Sequence, residues 1–217
     1  LVFFQLGLLN AIYQSQSRPY SLLDGEIVLV SDRFSRLSQS PEIALSDVMR
    51  TQGVEGVAHV SPLSIQLGIL LILPQGFTTN AQIYSIDPSN SALSIEKTKL
   101  NISSLTLYER ASIDNMSRPS YVSNVQKKLR SNNDYRTNLG DKRLIINSIS
   151  SIGSTFAADL SLVMSQDNLM HYFPGRNYSK INLGVVKLKQ GYSIQKVLDT
   201  LNSKLYPVGY NIMAMSI

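Results

Sequence analysis

Hydrophobic and polar residues follow a repeating pattern near each end of the chain, and the first pattern predicts a strand, a helix and a second strand. Residues 26–31 (EIVLVS) are apolar and β-branched, which is typical of a buried strand. Residues 40–42 supply a capping serine, a proline for the first helical position and an acid for the first turn, and they predict a helix over 41–52. Residues 57–66 are extended, and Pro62 indicates either an edge strand or two strands with a bend.

The second pattern lies near the C-terminus and predicts the same three elements. Residues 181–188 (INLGVVKL) form a strand, and a helix starting at Ser193 presents apolar residues three and four positions apart as far as Leu205. Residues 210–217 (YNIMAMSI) alternate and predict the returning strand. Two such βαβ units on one shared sheet predict an α+β, ferredoxin-like main domain.

The middle of the chain has a different composition, being rich in serine and asparagine and positively charged. The elements predicted there are a helix over 118–130, a turn or short strand over 134–139, a hairpin turn at 140–141 and a strand over 142–149. We therefore expect an inserted, small mixed α/β subdomain over 89–149. The main domain then comprises residues 14–88 and 150–217.

Two apolar segments require separate interpretation. Residues 1–13 carry no charge, and as a helix they would rise about 20 Å, short of the roughly 30 Å hydrocarbon core of a bilayer. They are either the end of a transmembrane helix or an amphipathic helix that opens the domain. Residues 67–73 (LGILLIL) favour a buried strand of seven residues, with a loop that dips into lipid as the alternative.

The composition of the chain excludes several classes of protein and of functional site. The chain has 217 residues, of which 43% are hydrophobic and 16% charged, and this is typical of a folded domain. Several runs of about 20 apolar residues would be needed for a polytopic membrane protein, and the sequence contains none. Cysteine is absent, so disulfides, thiolate metal sites and cysteine nucleophiles are excluded.

The sequence predicts no catalytic residue, cofactor site or metal site. His59 and His171 are too far apart for a helix-spaced metal motif, and residues 140–143 lack the pattern of a phosphate-binding loop. Ser154, Asp159 and His171 are the residue types of a catalytic triad, but their spacing in the sequence does not indicate that they lie together in space.

Positive charge is concentrated in one stretch. Residues 118–143 contain seven basic and two acidic side chains, and the rest of the chain is neutral, which gives the overall charge of +5. Only two aromatic residues accompany the basic ones, so nucleic acid is not an expected partner. The stretch is either a solvated face or a site for an anionic ligand, and in the second case Arg118, Lys127 and Lys128 are the first candidates.

Four segments resemble one known family: residues 10–31, 54–63, 148–176 (SISSIGSTFAADLSLVMSQDNLMHYFPGR) and 181–205. Together they look like the extracytoplasmic domain of a DevC-type ABC transporter permease. This family is similar in plan to the MacB permeases, and its best-known members are cyanobacterial. The resemblance is strongest over residues 148–205 and weak from about 67 to 140.

The resemblance implies a porter-type domain with an inserted part, on the periplasmic side of an inner-membrane permease. Residues 1–13 would end the first membrane helix. The permease would form a homodimer, a separate cytoplasmic subunit would hydrolyse ATP, and a periplasmic adaptor would lead to a TolC-like duct. The cargo of the best-known case is a glycolipid. The alternative is an extracytoplasmic ligand-binding or sensory module that recognises an anion.

Overall fold

The computed structural model describes residues 18–35, 40–72, 76–131, 133–153, 158–207 and 209–217, so the predicted membrane segment 1–13 lies outside the described residues. The strands are β1 (Ile27–Ser31), β2 (Ile43–Ala44), β3 (Val57–Ile72), β4 (Phe77–Ile86), β5 (Arg110–Asp114), β6 (Tyr135–Leu139), β7 (Lys142–Ser150), β8 (Leu160–Ser165), β9 (Lys180–Ile181), β10 (Leu183–Leu188) and β11 (Ile212–Ser216). The helices are α1 (Leu45–Met49), α2 (Ile95–Thr98), α3 (Ile102–Leu105), α4 (Pro119–Arg130), α5 (Gln166–Tyr172) and α6 (Ile194–Thr200). A 3₁₀ turn (Arg50–Gly53) follows α1, and a π-helical turn (Leu201–Leu205) follows α6.

The two repeated units form one ferredoxin-like half. Its strands lie in the order β11, β1, β10, β3, and each is antiparallel to its neighbour. It follows that β1 is parallel to β3, and β10 to β11, with a strand of the other unit inserted between the members of each pair. Side chains from α1 and from the segment after β10 pack on one face of this sheet, including Val48, Val197 and Leu201. The predicted α+β, ferredoxin-like arrangement is confirmed.

The sheet continues past β3 and closes on itself. The order β3, β4, β8, β5, β7, β6 returns to β3 through one pair, Leu70 with Leu139, and the Gly140 N–H donates to the Ile69 carbonyl at 2.8 Å. We call these six strands the distal ring. Its buried side chains include Leu70, Ile83, Ile113, Leu144, Ile146 and Leu162. The predicted subdomain boundaries at 89 and 149 stay a prediction.

Strand β3 connects the two halves of the molecule. Its first part, from Val57 to Leu63, pairs with β10, and its second part pairs with β4 as far as Ile72. Sixteen residues of strand span about 50 Å. The strand is therefore long enough to belong to the ferredoxin-like half at its start and to the distal ring at its end.

The described chain enters β1 and leaves β11 at the same end of the ferredoxin-like half. Ile27 pairs with Ser216, and the Ile217 N–H donates to the Glu26 carbonyl at 3.1 Å. The start of β3 lies at this end too, because Val57 pairs with the last residue of β10. The distal ring, at the far end of β3, lies on the opposite side of the molecule.

The helix predicted over 41–52 begins later than expected. Residues 43 and 44 form β2, which pairs with β9, and the helix starts at Leu45 with Ala44 at its N-cap. The reason is that Ser40 binds elsewhere: its hydroxyl donates to the Asn182 carbonyl at 3.1 Å, and the Asn182 side chain donates back to the Ser40 carbonyl at 2.7 Å. A long-range contact replaces the local cap.

Pro62 does not interrupt β3, which is one continuous strand. The pairing of β3 with β4 ends at the Leu63–Ile86 pair, so Pro62 lies where β3 has a pairing strand, β10, on one side only. This one-sided position is where a sheet accepts a residue that lacks an N–H group.

Residues 67–72 of the apolar run 67–73 form the end of β3 but are buried on one face only, and residue 73 lies outside the described residues. Leu70 and Ile72 lie inside the distal ring, whereas Leu67 and Ile69 are 41% and 54% exposed. The expectation of a fully buried strand is therefore wrong over these residues. Successive side chains of a strand point to opposite faces, and here only one face has a core to pack against.

Candidate functional site

The junction between the two halves is held by a set of polar contacts around Arg176. One guanidinium nitrogen, Nη1, donates to the Ile65 carbonyl (3.2 Å) and to Gln66 Oε1 (2.8 Å). The other, Nη2, donates to Asn182 Oδ1 (3.1 Å) and forms an ion pair with Glu42 (2.8 Å). The Arg176 side chain is only 10% exposed. These five residues, which we call the junction network, fix the middle of β3 to the segments that flank the β2–β9 pair.

Asn182 is the second centre of the junction network. Its buried side-chain carbonyl accepts the Ile65 N–H at 2.7 Å, and its own backbone N–H donates to the Leu63 carbonyl at 3.1 Å. Together with its contacts to Ser40, these bonds use most of the hydrogen-bonding capacity of the residue. Because unpaired buried polar groups are costly, the arrangement holds β3 in one position at the junction.

A cavity of about 560 Å³ lies beside the junction. Its lining is Leu45, Pro62, Asp87, Pro88, Ser89, Thr106, Ser165, Gln166, Asp167, Tyr178 and Ile181. Several of its polar groups already serve the fold: Asp87 accepts from the N–H and hydroxyl of Ser89, and Gln166 accepts from the Ser85 hydroxyl. The cavity therefore presents few free polar groups with which to select a ligand.

A second cavity, of about 420 Å³, lies on the distal ring where α4 ends and β6 begins, and we call it the basic pocket. Its lining is Asn124, Lys127, Lys128, Ser131, Asn133, Tyr135 and Arg136. Three of these side chains are cationic, and none is a carboxylate. The Lys128 ammonium lies 5.4 Å from the centre of the Tyr135 ring, within the range of a cation–π contact.

The structure brings two of the three predicted ligand residues together. Lys127 and Lys128 line the basic pocket, whereas Arg118 precedes the first residue of α4, about 14–15 Å away along the helix. Arg118 forms an ion pair with Asp159 at 3.3 Å. Sequence reasoning missed Arg136 as a partner of the two lysines, although it belongs to the same basic stretch. That these residues bind a ligand stays a prediction.

Asp159 and His171 have separate partners in the structure. Nδ1 of His171 lies 2.7 Å from the Tyr108 hydroxyl, and its Nε2 lies 3.9 Å from Glu109. Asp159 lies beside Arg118, and Ser154 is outside the described residues. No contact in the described part of the chain joins Asp159 to His171 as a triad would require.

Asp114 is a buried carboxylate whose contacts are structural. One oxygen accepts the N–H groups of Ile152 (2.7 Å) and Gly153 (3.0 Å), and the other accepts the Ser117 hydroxyl (2.9 Å). Burial raises the pKa of the nearby Tyr84 phenol, and the charge of Asp114 raises that pKa further. The carboxylate thus fixes the loop after β7, and Tyr84 stays neutral beside it.

Within the described residues, no three histidine, aspartate or glutamate side chains cluster as a metal site would require. The helices described there are also too short or too polar to cross a bilayer.

The fold is comparable with those of two solved structures. The periplasmic region of MacB from Actinobacillus actinomycetemcomitans superposes with a TM-score of 0.59 and 14% identity, covering 91% of each chain. The extracellular domain of the noncanonic ABC-type transporter YknZ from Gram-positive bacteria gives a TM-score of 0.55 and 11% identity, over 88% of this chain and 98% of that one. No protein-family model matches the sequence, and no curated protein does.

This chain therefore has the fold of the periplasmic and extracellular domains of ABC transporter permeases, with a MacB-like plan. At these identities the likeness concerns the fold. The narrower resemblance to DevC-type permeases stays a prediction.

Proposed function

We propose that this chain is the periplasmic domain of an ABC exporter permease, where it transmits movement of the membrane helices toward a periplasmic adaptor. One observation carries the proposal: the chain enters and leaves the ferredoxin-like half at one end, where Ile217 is bonded to Glu26, and the distal ring lies at the other. In this proposal that end is the base, which faces the membrane. A displacement of the base then moves the ring.

The route of transmission is β3 together with the junction network. A continuous strand of 16 residues runs from the base into the distal ring, and Arg176 and Asn182 fix its middle to the surrounding strands. Such a connection favours rigid-body movement of the whole domain over bending at the junction. Rigid rotation about an interface is one of the ordinary ways in which two-state membrane machines change shape.

The partners follow from the same proposal. The permease forms a homodimer in the inner membrane, a separate cytoplasmic subunit hydrolyses ATP, and the domain itself is not an enzyme. The distal ring contacts an adaptor that leads to a TolC-like outer-membrane duct, and the cargo is a glycolipid, as the resemblance to DevC-type permeases implies. The likeness of the fold to the periplasmic region of MacB supports the part of the proposal that makes this chain a permease domain.

Distance measurements in the complete transporter test the proposal. The 217-residue sequence contains no cysteine, so a cysteine replacing Asp141, in the exposed turn between β6 and β7, can be spin-labelled without background from this domain. The separation between the labels of two protomers is expected to change between the nucleotide-free and ATP-bound states. An unchanged separation would remove the proposed coupling.

A second label pair tests whether the domain moves as one body. Cysteines replacing Asp141 and the exposed Lys189, at the base, report the length of a single domain when labelled protomers are diluted with unlabelled ones. This distance is expected to stay constant between the two states. A change confined to this intramolecular distance would show bending at the junction and would contradict rigid transmission.

A further inference from the structure

Among the described residues, the cations of the basic pocket form no ion pair, whereas two other basic residues of the same stretch do. Arg118 and Arg143 form ion pairs with Asp159 (3.3 Å) and Glu109 (2.7 Å), and Lys142 donates to a backbone carbonyl. Among the described residues, no carboxylate forms an ion pair with the three cations that line the pocket, Lys127, Lys128 and Arg136.

The nearest acid in the sequence is already engaged. Asp134 lies two residues before Arg136, but its carboxylate forms an ion pair with Arg110 on β5. It is therefore committed to a different cation and does not line the pocket. Three positive charges share one concave surface, where they repel one another, and the Tyr135 ring faces one of them, Lys128.

Helix stabilisation accounts for part of this arrangement. Lysines in the last turn of α4 favour the helix because they interact with the negative end of its dipole. However, the terminal carbonyls already have partners, since the Lys128 carbonyl accepts the N–H groups of Ser131 and Asn133, and the Lys127 carbonyl accepts the Ser131 hydroxyl. Arg136 belongs to β6 and plays no part in the helix, so its position beside the lysines needs another explanation.

We propose that the basic pocket binds a phosphate-bearing ligand. Lysine and arginine donate charge-assisted hydrogen bonds to phosphate oxygens, and the amide of Asn124 can add a further donor. The Ser131 hydroxyl and one N–H of the Asn133 amide are already bonded to the Lys127 and Ser131 carbonyls. A volume of about 420 Å³ accommodates a small phosphorylated molecule or the head group of a phospholipid. The inference goes beyond the proposed function, because the pocket lies on the distal ring and takes no part in transmission through β3.

Calorimetric titration of the purified chain tests the proposal with inorganic phosphate and glycerol phosphate as soluble probes. Lys128→Gln and Arg136→Gln are each expected to weaken binding about tenfold, which corresponds to the loss of one charge-assisted hydrogen bond. The matched control is Arg130→Gln, which removes one charge from the same helix turn at a residue that does not line the pocket. The control is expected to bind as the wild type does.

Vesicle sedimentation distinguishes a lipid source from a soluble one. Vesicles of phosphatidylglycerol that retain the wild type and Arg130→Gln but release Arg136→Gln would assign the pocket to a lipid head group, whereas binding to the soluble probes alone would assign it to a free phosphate compound. The proposal is wrong if neither kind of probe binds, or if Arg130→Gln weakens binding as much as the pocket variants do. Circular dichroism of each variant shows that the fold is retained.

Discussion

The side-chain amide of Asn202 forms two hydrogen bonds with the backbone of Ala214. Its Nδ2 donates to the Ala214 carbonyl at 3.0 Å, and its Oδ1 accepts the Ala214 N–H at 2.9 Å. Ala214 lies in β11, the last strand of the sheet on this side, which pairs with β1 on its inner side only. The amide therefore occupies the outer side of the edge, where the backbone of another strand would otherwise bind.

We predict that Asn202→Ala promotes self-association through β11. The substitution exposes a backbone donor and acceptor at the edge, and it also removes two hydrogen bonds, which lowers the free energy of unfolding by about 2 kcal/mol. Light scattering after size-exclusion chromatography measures the association. Asn211→Ala, at an exposed position just before β11, is the control and is expected to behave as the wild type. Equal masses for Asn202→Ala and the wild type would show that the amide does not block pairing.

Gly184 permits close packing of α1 on the sheet. A Cβ atom at this position would lie 2.3 Å from Val48 Cγ1, far inside van der Waals contact. Gly184→Ala is expected to lower the free energy of unfolding by about 1–3 kcal/mol, and Val48→Ala in the same chain is expected to recover part of the loss because it removes the opposing methyl groups. Denaturant unfolding measures both effects.

The control for this experiment is Gly175→Ala. A Cβ atom at Gly175 would have no neighbour within 4 Å. The change in the free energy of unfolding is therefore expected to stay within about 0.5 kcal/mol. A similar loss in the Gly184 and Gly175 variants would mean that the contact with Val48 is not the cause.

Arg176→Lys is expected to loosen the junction although it keeps the positive charge. An ammonium group cannot reproduce the two-pronged contact of the guanidinium with Ile65, Gln66, Asn182 and Glu42. The expected loss in the free energy of unfolding is about 2 kcal/mol. Hydrogen exchange should also quicken at the amides of β3 near Ile65. Arg130→Lys, at an exposed position, is the control, and protection near Ile65 as strong as in the wild type would contradict the assigned role.

Stability is expected to fall in alkaline solution because several phenols are buried. Burial raises the pKa of Tyr20, Tyr84, Tyr172 and Tyr206 above the ordinary value of 10.0. A raised pKa in the folded state means that the neutral phenol is favoured there, so this contribution is complete below pH 10 and is lost as the pH rises through the folded-state values. Denaturant unfolding at increasing pH measures the decline. Tyr84→Phe should decline less steeply above pH 10, and an unaltered slope would argue against Tyr84 as a contributor.

The sequence predicts best those elements whose signal is local. Strand β1 and the first four residues of β10 are apolar runs with β-branched residues, and α4 begins with a proline at its first turn. Strand β4 gives no such signal. It starts with an exposed phenylalanine, Phe77, and later buries the polar residues Gln82 and Ser85, so its side chains do not alternate in the usual sense of apolar inside and polar outside.

The features that the sequence does not predict depend on contacts between distant parts of the chain. The two residues of β2 form a strand only because Ile43 meets Ile181, and this pairing displaces the expected start of the helix. The basic pocket is partly predictable, since Lys127 and Lys128 belong to an evident run of charge. Arg136 joins them because β6 folds back beside the end of α4, and no local pattern indicates that return.

The neighbouring strands of the distal ring are paired over very different lengths. Most neighbouring strands of the ring pair along several residues, but β6 meets β3 at the single pair of Leu70 and Leu139, with one further bond from Gly140 to Ile69. This contact is a seam: β6 and β3 share one residue pair, against two between β5 and β8 and five or more between the other neighbours in the ring. Local opening of the ring should therefore begin at the seam, where β6 can separate from β3 while the other strand pairs of the ring stay intact.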